Sequence, residues 1–145
     1  MARILVAYAT RTGETQKIAE LIAEGIRFAG VEAKVANVND LKKEIDLEGY
    51  DAYVLGSATY HGEMMQGMKT LLFLAEKVSL QGKPGGSFGA FGWSGEAPDR
   101  IYETMKNIYQ MDMVHEPLRL KSSALEGAMQ MAQGYGREIG KKVTG

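Results

Sequence analysis

Three short stretches of this sequence combine residue types that could bind and hold a small charged ligand. The first, Thr10-Arg11-Thr12-Gly13-Glu14-Thr15, lies between the apolar run Ile4–Ala9 and a helical pattern that begins near Gln16. A strand that ends in a hydroxyl-rich turn and opens a helix collects the unpaired N–H groups of the helix start, where the backbone dipoles also favour negative charge. With three threonine hydroxyls added, the stretch suits a phosphate monoester. The second stretch, Ser57-Ala58-Thr59-Tyr60-His61-Gly62, follows another apolar run and supplies an aromatic ring, an imidazole and a flexible glycine. The third, Gly92-Trp93-Ser94-Gly95-Glu96-Ala97 with Phe91 before it, holds the only tryptophan of the chain.

A tyrosine and a tryptophan beside a phosphate cradle call for a flat, π-rich ligand that carries one phosphate. Flavin mononucleotide (FMN) answers that description. Other phosphate chemistries fit less well. A nucleoside triphosphatase loop needs G-x-x-x-x-G-K-S/T, which is absent, and a nicotinamide site needs its glycines directly after the first strand. A receiver domain needs an acidic cluster after the first strand and a phosphoacceptor Asp after the third, where this chain has Ala9-Thr10 and Ser57-Ala58. Arg11 is read as pointing outward to a partner, because consecutive turn residues diverge.

The elements that must position these stretches follow from the hydrophobic pattern. Strand-like runs at Arg3 to Ala9, Val31 to Asn37, Asp51 to Ser57, Ser87 to Gly92 and Val114 to Lys121 alternate with helical stripes. That alternation predicts a parallel α/β sheet of five strands. The stripes are Ile18, Leu21, Ile22, Ile26 and Ala29; Met68, Leu71, Leu72 and Ala75; Ile101, Met105 and Ile108; and Leu125, Ala128, Met129, Ala132, Ile139 and Val143. The segment after Asp40 is the least regular crossover. Met68, Met105 and Met129 are read as core filling and His115 as an outward or edge residue. The glycines of Gly134-Tyr135-Gly136-Arg137-Glu138-Ile139-Gly140 are read as helix packing or fraying, since they sit inside a helical pattern and not after a strand. In a doubly wound sheet ligands gather beyond the carboxyl ends of the strands, which is where all three stretches lie.

Composition narrows the function further. The 145 residues, 45% hydrophobic and 24% charged, suit one domain spanning 1–145 with one core. Seventeen Lys plus Arg against eighteen Asp plus Glu leave a net charge of −1, so no global field points to nucleic acid or an anionic membrane. Lys42-Lys43 and Lys141-Lys142 are read as solvated charge. The absence of cysteine excludes thiol catalysis, disulfides and Cys-based metal ligation, and two histidines, His61 and His115, are too few for a metal site. No signal-peptide pattern or long apolar run is present, which predicts a cytoplasmic protein without membrane insertion. No Ser-His-Asp set, nicotinamide motif or substrate-domain insertion is visible, so no catalytic residue is assigned.

Thr10-Arg11-Thr12-Gly13-Glu14-Thr15 matches the signature T-x-T-G-x-T, and on it the chain resembles a short-chain flavodoxin over nearly all of its length. Gly56-Ser57-Ala58-Thr59-Tyr60 and Phe91-Gly92-Trp93-Ser94-Gly95-Glu96-Ala97 resemble, more closely, the flavodoxin domain of flavodiiron proteins, although Ala58 stands where those domains often have proline. The resemblance implies strand order 2-1-3-4-5, FMN binding and electron transfer through the three flavin redox states. It implies the phosphate on Thr10, Arg11, Thr12, Gly13, Glu14 and Thr15. The ring would lie between Ser57, Ala58, Thr59, Tyr60, His61 and Gly62 on one side and Phe91, Gly92, Trp93, Ser94, Gly95, Glu96 and Ala97 on the other. The expected protein is a monomeric carrier of single electrons between redox protein partners. Oxygen or nitric oxide reduction is not expected, since no diiron domain precedes the first strand. Glu14, Glu63, Glu96 and Asp99 are expected to give the cleft rim a local negative charge, and the 61–62 peptide to turn its carbonyl toward the flavin, with Gly62 allowing the turn.

Overall fold

Strand β1 (Arg3–Ala9) is apolar on both sides because it is central: Ile4 and Val6 face one layer of helices, Leu5 and Ala7 the other, and all four are fully buried. The computed structural model describes residues 2–60, 62–90, 95–122 and 126–144, residue 60 in its backbone alone. β2 (Glu32–Asn37) pairs with one edge of β1 and β3 (Ala52–Ser57) with the other, both in parallel, so that Val6 lies opposite Val35 and Val54. β6 (Pro84–Ala90) follows on the far side of β3, with Leu55 opposite Ser87. Two short strands, β4 (Thr59–Tyr60) and β5 (Glu63–Met64), form a separate antiparallel hairpin beyond β3.

The fifth position of the sheet is shared. β7 (Asp112–Met113) pairs with the start of β6 and β8 (Leu118–Leu120) with its end, both in parallel. The order β2-β1-β3-β6-β7, with β8 also on β6, is the doubly wound order 2-1-3-4-5 with its last strand in two pieces. Of the continuous strand expected over Val114 to Lys121 only Leu118–Leu120 forms, and the other piece, β7, precedes the expected run. Pro117 has no N–H to give a ladder, and a tyrosine hydroxyl from the last helix occupies the gap.

Helices α1 (Glu14–Phe28) and α4 (Ala128–Thr144) cover one face; α2 (Gln66–Ala75) and α3 (Glu96–Glu103) cover the other. Met68, Leu71, Leu72 and Ala75 all face the core as their spacing predicts. α1 and α4 meet backbone to backbone: a Cβ on Gly136 would lie 1.9 Å from the Ile22 carbonyl oxygen, and one on Gly25 1.9 Å from that of Gln133. Only hydrogen fits at that crossing, so the packing reading holds for Gly136, whereas Gly134 faces open space.

Among the described stripe residues Ile108 and Met129 are exposed, and Leu125 lies outside the described residues. Ile108 is 63% exposed because α3 runs into a π turn over Thr104–Ile108, whose wider step carries it off the apolar face that Ile101 and Met105 occupy. Met129 is 51% exposed, contrary to its reading as core filling: Ala128 and Ala132 face the sheet, and Met129 lies about 100° further round the helix. The irregular crossover after Asp40 resolves into 3-10 turns at Val38–Asp40 and Glu44–Leu47. His115 is exposed at the sheet edge, 3.8 Å from the Glu138 carboxylate. Among the described residues no helix is long and apolar enough to cross a membrane, and no group of three or more His, Asp or Glu residues could hold a metal ion.

Candidate functional site

β2 lies on one side of β1 and β3, the next strand in the chain, on the other, so strand order reverses between β1 and β3. The three stretches singled out in the sequence leave the carboxyl ends of β1, β3 and β6, which are consecutive neighbours in the sheet. The first two are tied where they emerge, since the Ala58 N–H donates to the Ala9 carbonyl at 3.1 Å.

In the first stretch the Gly13 N–H donates to Thr10 Oγ1 at 2.9 Å, and Gly13 takes φ +92° to turn the chain into α1. The helix start has no side-chain cap, and its first backbone hydrogen bond runs from the Lys17 N–H to the Gly13 carbonyl. The first-turn N–H groups therefore point beyond the helix without a ladder to join. Thr15 is only 1% exposed, and its hydroxyl has no hydrogen-bond partner in the protein. Leaving such a group unmade costs about 1–3 kcal/mol, which an anionic ligand at the helix start would recover. Arg11 and Thr12 are exposed, Arg11 as expected of an outward residue. Glu14 accepts a hydrogen bond from the Ser122 hydroxyl at 2.9 Å, which ties the stretch to the segment after β8. Ser122 carries no signature in the sequence, because only the fold brings it there.

The second stretch is more ordered than a loop. Ser57 is buried at the end of β3; its hydroxyl donates to the Ala58 carbonyl at 2.8 Å and accepts from the Met65 N–H at 2.9 Å, closing the root of the β4–β5 hairpin. Within the hairpin Thr59 pairs with Met64 and Tyr60 with Glu63. Gly62 takes φ +74°, with open space where a Cβ would stand, so its backbone has the turn geometry expected of it. His61 and the Tyr60 side chain lie outside the described residues.

Of the third stretch, Phe91, Gly92, Trp93 and Ser94 lie outside the described residues. Gly95 occupies the N-cap of α3 without a side-chain cap, Glu96 is half-buried and Ala97 is buried. The Ala97 N–H donates to Thr59 Oγ1 at 3.1 Å, which joins the second and third stretches.

The acidic rim read from the sequence is in good part neutralised. Glu63 pairs with Arg100 at 3.1 Å and Lys69 at 3.5 Å, and Asp99 pairs with Arg119. Sequence order gives no hint of these partners, which come from α2, α3 and β8.

The flavodoxin-domain profile matches residues 5–133. The chain belongs to the flavodoxin family. It is 30% identical over 140 residues to the flavodoxin of Clostridium beijerinckii, covering 96% of this chain and 97% of that one. It superposes on a flavodoxin from the domain Archaea with a TM-score of 0.91 at 31% identity, over 99% of each chain. It is also 30% identical over 112 residues to the flavo-diiron protein FprA2 of Clostridium acetobutylicum, a match that covers 72% of this chain. Against such longer relatives it spans about a quarter of the length, 28% in that case and 24% in another. Both halves of the sequence-based resemblance, to short-chain flavodoxins and to flavodiiron relatives, thus stand.

Proposed function

We propose that this protein is an FMN-binding electron carrier that passes single electrons between redox proteins. The observation that carries the reading is the buried, unpartnered Thr15 hydroxyl in the first turn of an uncapped helix that leaves the switch point of the sheet. That is a donor set for one phosphate, preformed by the Thr10–Gly13 hydrogen bond and lacking the lysine of a triphosphate site.

FMN, when bound, supplies reversible one-electron chemistry at an aromatic ring. The chain supplies attachment and shape. Thr10, Arg11, Thr12, Gly13, Glu14 and Thr15 would receive the phosphate, mainly through backbone N–H groups and hydroxyls. The hairpin carrying Thr59, Tyr60, His61 and Gly62 and the segment 91–97 would flank the ring, with Ser57 and Ala58 at the hairpin root. The redox partners would meet the cleft at its rim, where Glu63 and Asp99 stand in ion pairs. The reading sets the protein in the cytoplasm as a monomer, which cell fractionation and sedimentation test.

The spectrum of the purified protein tests the reading directly. A yellow chromophore, released by acid and identified as FMN, is expected. In the apoprotein, Thr15→Val should weaken FMN by about 1–3 kcal/mol and leave riboflavin unchanged, since only FMN carries the phosphate. A protein that neither carries nor takes up FMN overturns the proposal. The match to part of a flavo-diiron protein favours a second setting, in which the same carrier role serves a larger oxidoreductase. Electron delivery from the reduced protein to a separately prepared flavo-diiron core would support that setting.

A further inference from the structure

The first turn of α3 is held in place from outside its own sequence. Its N-cap, Gly95, has no side chain to cap with, and the N–H of Ala97, the second residue of the helix, is taken instead by Thr59 Oγ1, which lies 38 positions earlier in the chain. The next residue, Pro98, lies over Gly89 of β6: a Cβ at Gly89 would come within 2.8 Å of Pro98 Cγ and 2.3 Å of the Ser57 carbonyl oxygen. One turn further on, Arg100 reaches Glu63 of the same hairpin that carries Thr59. The hairpin is itself closed at its root by Ser57. Among the described residues, β4–β5 and the start of α3 are thus joined by a part-buried hydrogen bond and an exposed ion pair.

We propose that Thr59 is a positioning residue of the cofactor cleft: its hydroxyl holds the first turn of α3 against the β4–β5 hairpin, and so sets the width of the slot that the ring-flanking stretches bound, without binding the cofactor itself. The inference rests on the FMN reading for what fills the slot. It departs from the sequence reading, which counted Thr59 among the residues that touch the ring. The geometry favours the positioning role because the hydroxyl oxygen is already engaged by a helix N–H that has no other partner within its helix. Of the two ties, the hydrogen bond is the directional one; an exposed ion pair tolerates a range of side-chain geometries. A slot of fixed width matters for a planar ligand, whose contacts on both faces depend on the same spacing.

The test compares Thr59→Val, which keeps the shape and removes the hydroxyl, with Thr59→Ser, which keeps the hydroxyl. In the cofactor-free protein, amide exchange at Ala97 should accelerate about three- to tenfold in Thr59→Val, the range for loss of one hydrogen bond, and stay near wild type in Thr59→Ser. The dissociation constants for FMN and for riboflavin should both rise in Thr59→Val by a similar factor, because the slot serves the ring they share, and should recover in Thr59→Ser. Thr59→Ala provides a second hydroxyl-free variant with the same expected pattern if Thr59→Val does not fold. Unchanged exchange at Ala97 in the hydroxyl-free variants overturns the proposal, and so does faster exchange with unaltered flavin affinities. Loss of FMN binding with riboflavin binding intact would assign Thr59 to the phosphate and overturn it as well. Wild-type protein that binds neither flavin sinks the functional reading instead, a result that the exchange measurement, made without cofactor, does not share.

Discussion

The Tyr135 hydroxyl accepts a hydrogen bond from the Ser87 N–H at 2.9 Å and donates one to the Ser87 carbonyl at 3.0 Å, so one side chain of α4 satisfies both backbone groups of a residue in the middle of β6. Ser87 faces the gap between β7 and β8, where a longer fifth strand would have supplied those partners. Tyr135 is 5% exposed, and water has little access to take over. Tyr135→Phe should therefore cost about 1–3 kcal/mol, the penalty for buried polar groups left unmade, in urea unfolding of the apoprotein. A loss within a few tenths of a kcal/mol would mean that water reaches Ser87 after all.

The same burial sets a pH limit. Desolvation raises the pKa of Tyr53 to about 12 and pushes that of Tyr135 well above the ordinary tyrosine value of 10. A raised folded-state pKa means that the folded protein holds these protons more tightly than the unfolded chain. Their contribution is fully present below pH 10; that of Tyr53 is lost as pH climbs from 10 through about 12, and that of Tyr135 falls across the same rise and beyond it. Unfolding midpoints should fall steeply across that window, and Tyr135→Phe should flatten the fall. A midpoint that is flat to pH 12 would contradict the assignment.

Two glycines six residues apart should respond in opposite ways. Gly140→Ala would place its Cβ 2.7 Å from that of Ala29, while Gly134→Ala meets nothing within 4 Å. The first should destabilise the protein by about 1–3 kcal/mol, the range for overpacking; the second should stabilise it by up to about 1 kcal/mol, the helix-propensity difference between glycine and alanine. Thermal melts of the two variants are the measurement, and equal shifts in both would remove the α1–α4 crossing as the cause.

At the hairpin turn, Gly62 has room for a methyl group but an unsuitable φ. Gly62→Ala should cost roughly 1 kcal/mol of conformational strain. The loss should appear in the stability of the apoprotein, with no clash to relieve by changes in neighbouring side chains.

Because Glu63 and Asp99 already have cationic partners, association with a redox protein should depend only shallowly on salt. Rates in stopped-flow mixing at low and high ionic strength should differ by far less than the tenfold or more expected of a bare acidic rim. Strong salt dependence would point to cations or carboxylates elsewhere on the surface.

The sheet and the places where the candidate stretches leave it were legible because both are local signals: apolar runs for β1 and β3, and hydroxyl-rich turns at their ends. What the sequence hid is produced by contacts between distant segments. Ser57 and Thr59 read as ligand-facing residues of one stretch, yet their hydroxyls are used to close the hairpin and to hold α3. Carboxylates that look like a patch in order along the chain acquire Lys69, Arg100 and Arg119 once helices and strands are assembled. Ile108 shows a different failure, since helical spacing presumes a uniform step and the π turn changes it within one residue.

The Gly25–Gly136 crossing also has a consequence for biosynthesis. α1, whose start is the proposed phosphate site, lies against residues 133–140 of α4, more than a hundred positions later in the chain. On the ribosome, Gly25 has only solvent above it until that segment has left the exit tunnel. Capture of a cofactor at the start of α1 should therefore wait until residues 133–140 have emerged, and a nascent protein stalled before residue 133 should be colourless even with its first loop complete.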